Sequence, residues 1–248
     1  MLSRIGIGAI LIVVLAAALL SAAPARLLAL VLPADQVSLQ GLDGTVWQGS
    51  ASRCVLQLPQ GNLHLGAIRW SLSPLSLLRL APQVTLNSQW GAQRINGELV
   101  LRGARDVDVR QLEMEVAARL VQRFAPLAID GNVSLQVQQL SVRDGLPASA
   151  NGRMVWQDGG FRSPRGRVPL GTYALQFVQP PGEALRGQVI TLAGDLQAEG
   201  EVALSGRQYR IDVLVSSAGE FDPQLKQALS LMAKPEGPNY RLRLEAGF

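Results

Sequence analysis

Gly44-Thr45-Val46-Trp47-Gln48-Gly49 returns, slightly loosened, as Gly152-Arg153-Met154-Val155-Trp156-Gln157-Asp158-Gly159. A tryptophan framed by glycines reads as a strand that crosses a sheet and stops in a turn. Two further echoes keep the same order. Gly97-Glu98-Leu99-Val100-Leu101-Arg102-Gly103 matches Gly200-Glu201-Val202-Ala203-Leu204-Ser205-Gly206, and a stretch of helical spacing that ends before Pro126 matches one that ends before Pro235. Markers in one order predict a duplicated unit of about a hundred residues. Trp47 and Trp156 then become packing residues that cover the end of a sandwich, each indole N–H bonded at its rim.

Outward from this motif, residues 37–42 alternate apolar and polar, Asp43-Gly44 is a turn signal, and residues 45–47 begin the next strand of a hairpin. Further strands are predicted at residues 54–58, 62–65 and 68–72, with Pro59-Gln60-Gly61 between the first two, then a helix-like turn at 75–80 and strands at 83–90 and 93–101. Leu112, Val116, Leu120 and Phe124 recur every four residues and predict a helix over 109–124, closed by Pro126. Strands follow at 132–142, 148–156, 172–178, 188–193, 196–204 and 209–215. Asp222-Pro223 opens a helix to Met232, with aspartate as N-cap and proline in the first turn, and residues 239–245 close the chain. The expectation is a mainly β protein: a twisted antiparallel sheet in two similar repeats, 33–130 and 131–248, each with one short helix.

Residues 1–32 form a separate head. Ile5 to Ala23 carries no charge and one polar side chain, Ser21. As a helix this run reaches about 28 Å, the hydrocarbon thickness of a bilayer. A cleaved signal is the rival, since Ala23-Pro24-Ala25 supplies small residues, but the apolar run exceeds the roughly 7 to 15 residues of a signal core. A single-pass anchor through residues 5–23 is the reading adopted. It has a cytoplasmic N-terminus and the body on the far side, which is the periplasm in a Gram-negative cell. Residues 25–32 continue as an apolar collar, broken at Pro33-Ala34-Asp35.

The 248 residues are 48% hydrophobic but only 5% aromatic and 17% charged, so long exposed charged helices are not expected. Net charge is only +4, and all but two of the 23 basic residues are arginines, scattered among acids. A nucleic-acid surface needs clustered cations, so that class is set aside. The densest cationic group, Arg162, Arg165 and Arg167, falls in a predicted Gly/Pro-containing loop and is a candidate contact for lipid headgroups. Cys54 is the only cysteine, which excludes an intramolecular disulfide and a Cys-based zinc cluster.

Catalysis finds little to work with. His64 is the only imidazole, on the polar face of an alternating strand, with Cys54 on a neighbouring strand as a half-buried thiol. The pairs Asp106/Asp108 and Glu199/Glu201 each lie on one face of a strand, where a solvated sheet surface accounts for them without a cation. Asp130 and Asp195, each beside a glycine, read as turn formers. No phosphate loop and no metal-spaced His/Cys cluster occurs in the sequence, so no enzyme activity, cofactor or metal is expected. Trp90, outside the repeated motif, is the freer candidate for a partner contact.

Gly44-Thr-Val-Trp47-Gln-Gly49-Ser-Ala51, then Trp70-Ser-Leu-Ser-Pro74-Leu-Ser-Leu-Leu, then Gly152-Arg-Met-Val-Trp156, with the ending Tyr240-Arg-Leu-Arg-Leu-Glu-Ala-Gly-Phe, resembles the protein N family of the bacterial type II (general) secretion system. The resemblance implies a non-catalytic, single-pass inner-membrane component with a β-rich periplasmic body that contacts other secretion-system envelope proteins. On that resemblance Gly44, Trp47, Gly49, Trp70, Pro74, Gly152 and Trp156 are structural motif positions. The inserted Asp158 sets the second motif apart from the first. A different class fits the same pattern: a lipid-handling protein whose β-strands line an apolar groove that takes phospholipid.

Overall fold

Alternating side chains, broken by glycine and proline, generate fourteen strands among the described residues of the computed structural model, which are 19–33, 35–58, 61–103, 105–123, 129–163 and 166–247. The chain divides into two compact units, Met1–Trp90 and Gly91–Phe248. In the first, α1 (Leu28–Val31) precedes β1 (Val37–Gly44), β2 (Gln48–Leu58) and β3 (Gly61–Leu72), and α2 (Pro74–Leu78) separates β3 from β4 (Gln83–Trp90). The four strands form an antiparallel meander in chain order. Ala25, Ala51 and Trp70 are buried at its centre, with Leu28, Leu39, Leu42, Ile68, Val84 and Leu86 packed around them.

The second unit holds β5 (Gln93–Leu101), β6 (Val107–Ala117), β7 (Ile129–Arg143), β8 (Leu146–Ser163), β9 (Gly166–Gln179), β10 (Leu185–Ala193), β11 (Leu196–Ser205) and β12 (Gln208–Ser217). After β12 come α3 (Pro223–Met232), β13 (Lys234–Glu236) and β14 (Asn239–Gly247). Strand order again follows the chain, except that β14 lies between β12 and β13. The Asp222 carboxylate caps α3, accepting from the amides of Gln224 at 2.9 Å and Leu225 at 3.2 Å, so proline and aspartate act there as the sequence predicts. The helix sits beside a cluster of Val213, Val215, Ala233 and Tyr240, and Phe221 meets the Tyr240 ring edge-on at 5.2 Å.

Register gives this unit two chemically opposite faces. Met114, Leu135, Met154, Leu175 and Val189 stand directly across from one another on five consecutive strands. One position along, on the other face, Glu113, Gln136, Arg153, Gln176, Gln188 and Glu201 form an equally continuous polar row, extended by Asp212 and Arg243. Glycine keeps the apolar face shallow where large side chains lie down. A Cβ at Gly152 would be 2.6 Å from the ring of Phe177.

Three expectations are corrected. Residues 107–117 are a strand, not the start of a helix. A four-residue spacing is also a multiple of two, and Leu112, Met114 and Val116 satisfy strand alternation equally well. Only Ala118–Arg123 turns helically, as a 3₁₀ helix, and Phe124 lies outside the described residues. Second, the two glycine–tryptophan motifs occupy different local structures. The first is the β1–β2 turn, whereas the second lies inside β8 at a bulge between Trp156 and Gly159, where Asp158 adopts φ +49°. Third, Asp130 is not in a turn but in β7, at a bulge beside Gly131. Residues 130 and 131, the expected boundary between the two repeats, both sit within that strand.

Among the described residues no helix is long and apolar enough to cross a membrane. The expected anchor at 5–23 lies outside the described residues as far as residue 18. Of its described residues, 19–23, the first three are helical.

Candidate functional site

The first motif makes a turn that clamps three segments. Gly44 closes β1 with φ +85°, a conformation glycine alone adopts without strain. Thr45 then accepts and donates across the loop, its amide to the Gln48 carbonyl at 2.8 Å and its hydroxyl taking the Gln48 amide at 3.1 Å. Gly49 leaves room for the Trp70 ring; a Cβ there would lie 2.5 Å from Trp70 Cζ2 and 2.7 Å from the Asp43 carbonyl oxygen. The Trp70 indole donates back to the Val46 carbonyl at 3.1 Å. Trp47 ties both ways: its indole N–H donates to the Leu20 carbonyl at 2.8 Å, and its carbonyl accepts the Leu72 amide at 2.7 Å. Val46 adds a bond to the Ala23 carbonyl at 2.9 Å. Pro74, the other motif residue in this unit, opens α2.

Around the second motif Trp156 donates to the Asp130 carbonyl at 2.9 Å and packs on Tyr173, ring centroids 5.7 Å apart. Burial pushes the Tyr173 hydroxyl up to about 12, and that hydroxyl donates to the Leu170 carbonyl at 2.7 Å. Trp47, Trp70 and Trp156 each have the indole N–H satisfied by a backbone carbonyl.

Of the three candidate arginines, Arg162 and Arg167 are strand residues paired across the β8–β9 hairpin, not members of a free loop. Arg162 donates to Asp130 Oδ2 at 3.0 Å, and Arg167 donates to the Asp158 carbonyl at 2.5 Å. The Arg162 bond and the Gly131 amide hold the Asp130 carboxyl below its ordinary range. Arg165 lies outside the described residues. The pair Asp106/Asp108 is also not a solvated face. Asp108 is buried and receives Arg102 at 2.5 Å and Arg143 at 2.6 Å. Burial pushes its carboxyl up, but the two arginine bonds outweigh that and hold it at about 2.

His64 and Cys54 do not form a reactive pair. Val55 is the strand partner of His64, while Cys54 faces Gly66. Cys54 is fully rather than half buried, and burial pushes its thiol up, away from the thiolate a nucleophile needs. His64 is exposed and stacks against Trp90 at 6.5 Å, and Trp90 remains about half exposed. Among the described residues no three metal-ligating side chains converge.

Sequence reasoning missed the polar row of the second unit. On that face a groove of about 1310 Å³ crosses β6 to β11, bordered by Gln138, Asn151, Arg153, Gln176, Arg186 and Glu201 among others. Asn151 donates to Gln138 across it at 3.1 Å. The signal was present as polar residues at alternate positions in successive strands, but only register brings them into line.

Fold and sites together define an antiparallel β-meander protein in which tryptophans and buried charges hold strands in place. The family profile described as "Type II secretion system (T2SS), protein N" matches residues 35–243, and the chain belongs to that family. It is 29% identical to type II secretion system protein N of Aeromonas hydrophila over 96% of this chain and 95% of that protein. The protein of the same name from Klebsiella pneumoniae is 31% identical over 75% of this chain and 72% of its own length, and that of Vibrio cholerae serotype O1 is 25% identical over 94% of both. No solved structure matches the chain.

Proposed function

We propose that the protein is a non-catalytic component of a type II secretion machine, anchored in the inner membrane through residues 5–23 with its β body in the periplasm, acting through contacts with other envelope proteins of the machine. The observation that carries this reading is the family match across residues 35–243. The unbroken apolar run of residues 5–23 supports the anchor. The half-exposed Trp90 on its His64 stack supports a contact surface in the first unit. A duplicated origin of 33–130 and 131–248 belongs to the same proposal. Deletion of the gene is expected to lower export of secreted enzymes, and cross-linking in intact cells is expected to recover secretion-system proteins. Recovery of none of them, together with normal export, would remove the reading.

One observation favours a second reading, a lipid-handling role. Among the described residues no large side chain is fully enclosed, and the apolar row from Met114 to Val189 is only half buried. Reproducible co-purification of phospholipid with the detergent-free β body, seen by mass spectrometry, is the result that would bring this reading to the front.

A further inference from the structure

The turn between β3 and β4 is built inside out for a protein surrounded by water. In α2 and the residues that close it, the serine is buried and the leucines are not. Ser76 is 9% exposed, while Leu75, Leu78 and Leu80 are 73%, 82% and 87% exposed. The arrangement is held firmly. The Ser76 hydroxyl donates to the Ser73 carbonyl and accepts the Gln83 amide at 2.8 Å, and the Ser76 carbonyl accepts the Ala81 amide at 3.2 Å. Leu80 is kept at φ +52°, a region a bulky side chain rarely occupies. Firmly held backbone that turns three leucines outward marks an interaction surface.

What that surface meets follows from its neighbours. Trp47 binds Leu72, two residues before α2, through its carbonyl and Leu20 through its indole, so the turn lies at the place where the apolar run of residues 5–23 enters the unit. Leu28 and Val84 pack on one cluster, which puts α1 at the same end. There too leucines face out: Leu19, Leu20, Leu27 and Leu30 are exposed. Residues 19–33 and 72–88 contain no carboxylate, and their only charges are the exposed Arg26 and Arg79. Outward leucines, flanking arginines and no acids match the interface of a bilayer with anionic headgroups.

We infer that α2, Leu80 and the collar around α1 form a membrane-docking lip that seats this end of the first unit in the headgroup and upper acyl region. The inference rests on the anchor reading above. A lip of this kind adds to the single helix a second attachment that restricts tilt and rotation of the unit on the membrane.

The test uses the full chain in a Cys54→Ala background, reconstituted in vesicles of phosphatidylethanolamine and phosphatidylglycerol that contain nitroxide-labelled lipid. Single cysteines carrying an environment-sensitive fluorophore replace Val14, Leu75, Leu78 and, as the control, Gln89, about 20 Å farther along β4. Quenching at 14, 75 and 78 several-fold above that at 89 is expected. Quenching at 14 with 75 and 78 no different from 89 overturns the lip and leaves the anchor standing. Absence of quenching at all four positions overturns the anchor, and the lip with it. Probes at 75 and 78 that stay in water in vesicles but are shielded in native envelope membranes would assign the surface to a protein partner and also overturn the lip.

Discussion

Asp108 shows how a residue of ordinary appearance becomes a structural fixture. Its sequence neighbourhood, Asp106-Val107-Asp108, suggests a wet strand, yet two arginines from Arg102 and from β7 meet it in a buried position. Its folded carboxyl sits near 2 against an ordinary value of 3.8. A depressed carboxyl contributes stability that is fully present above the unfolded value and is lost as pH falls through the folded one. Asp108→Asn is therefore expected to lose about 1 kcal/mol at neutral pH, after allowance for the solvent that reaches the arginines. The variant's acid unfolding curve should converge on the parent's between about pH 4 and pH 2. Denaturant midpoints measured across that range check it, and a constant gap would refute the linkage. The tryptophans give a second residue-level expectation. Trp156 donates to a part-buried carbonyl and Trp47 to an exposed one. Trp156→Phe should thus cost about 1–2 kcal/mol and Trp47→Phe less, because water replaces an exposed donor. Thermal melts that reverse this order would show that the Leu20 bond matters more than its exposure suggests.

At the level of elements, the β1–β2 turn is the part of the first unit least tolerant of change. Gly49→Ala places a methyl group between the Trp70 ring and the carbonyls of Asp43 and Thr45, and is expected to cost about 1–3 kcal/mol through overpacking. A melting temperature equal to the parent's would mean that the Trp70 ring moves aside freely. Element type was largely legible beforehand. The strands at residues 83–90 and 93–101 and the capped helix after Asp222 coincide with prediction because alternation and capping are local signals. The failure at 109–124 is equally physical. Apolar residues four apart fit one face of a helix and one face of a strand, and the bulge at Gln111, φ +48°, hides the alternation that would have decided it. The charge sites at Asp108 and Asp130 were not legible, since each depends on which strands become neighbours.

For the molecule as a whole, a pI near 9.8 invites the expectation of a nucleic-acid partner. Ion pairs within the sheet engage six of the arginines instead. Arg102 and Arg143 meet Asp108, Arg162 meets Asp130, Arg241 and Arg243 meet Asp212, and Arg210 meets Glu245. The β body is expected to pass through a double-stranded DNA column at physiological ionic strength, because neutralised arginines displace few counterions. Retention that weakens steeply with salt would reveal an uncompensated cationic face.

The strand order has a consequence for how the chain comes to be folded. Within each unit every strand after the first, except β13, pairs with the strand just completed, so each new ladder closes only a short loop and adds to an edge already waiting. Such a body is able to zip up from its N-terminal side as polypeptide is delivered, without holding distant segments apart in the meantime. The exception comes last: β12 keeps an open edge until α3 and β13 have passed and β14 arrives to close it. The final residues are the latch of the whole assembly order, and a chain stopped short of them would leave its newest strand edge unpaired.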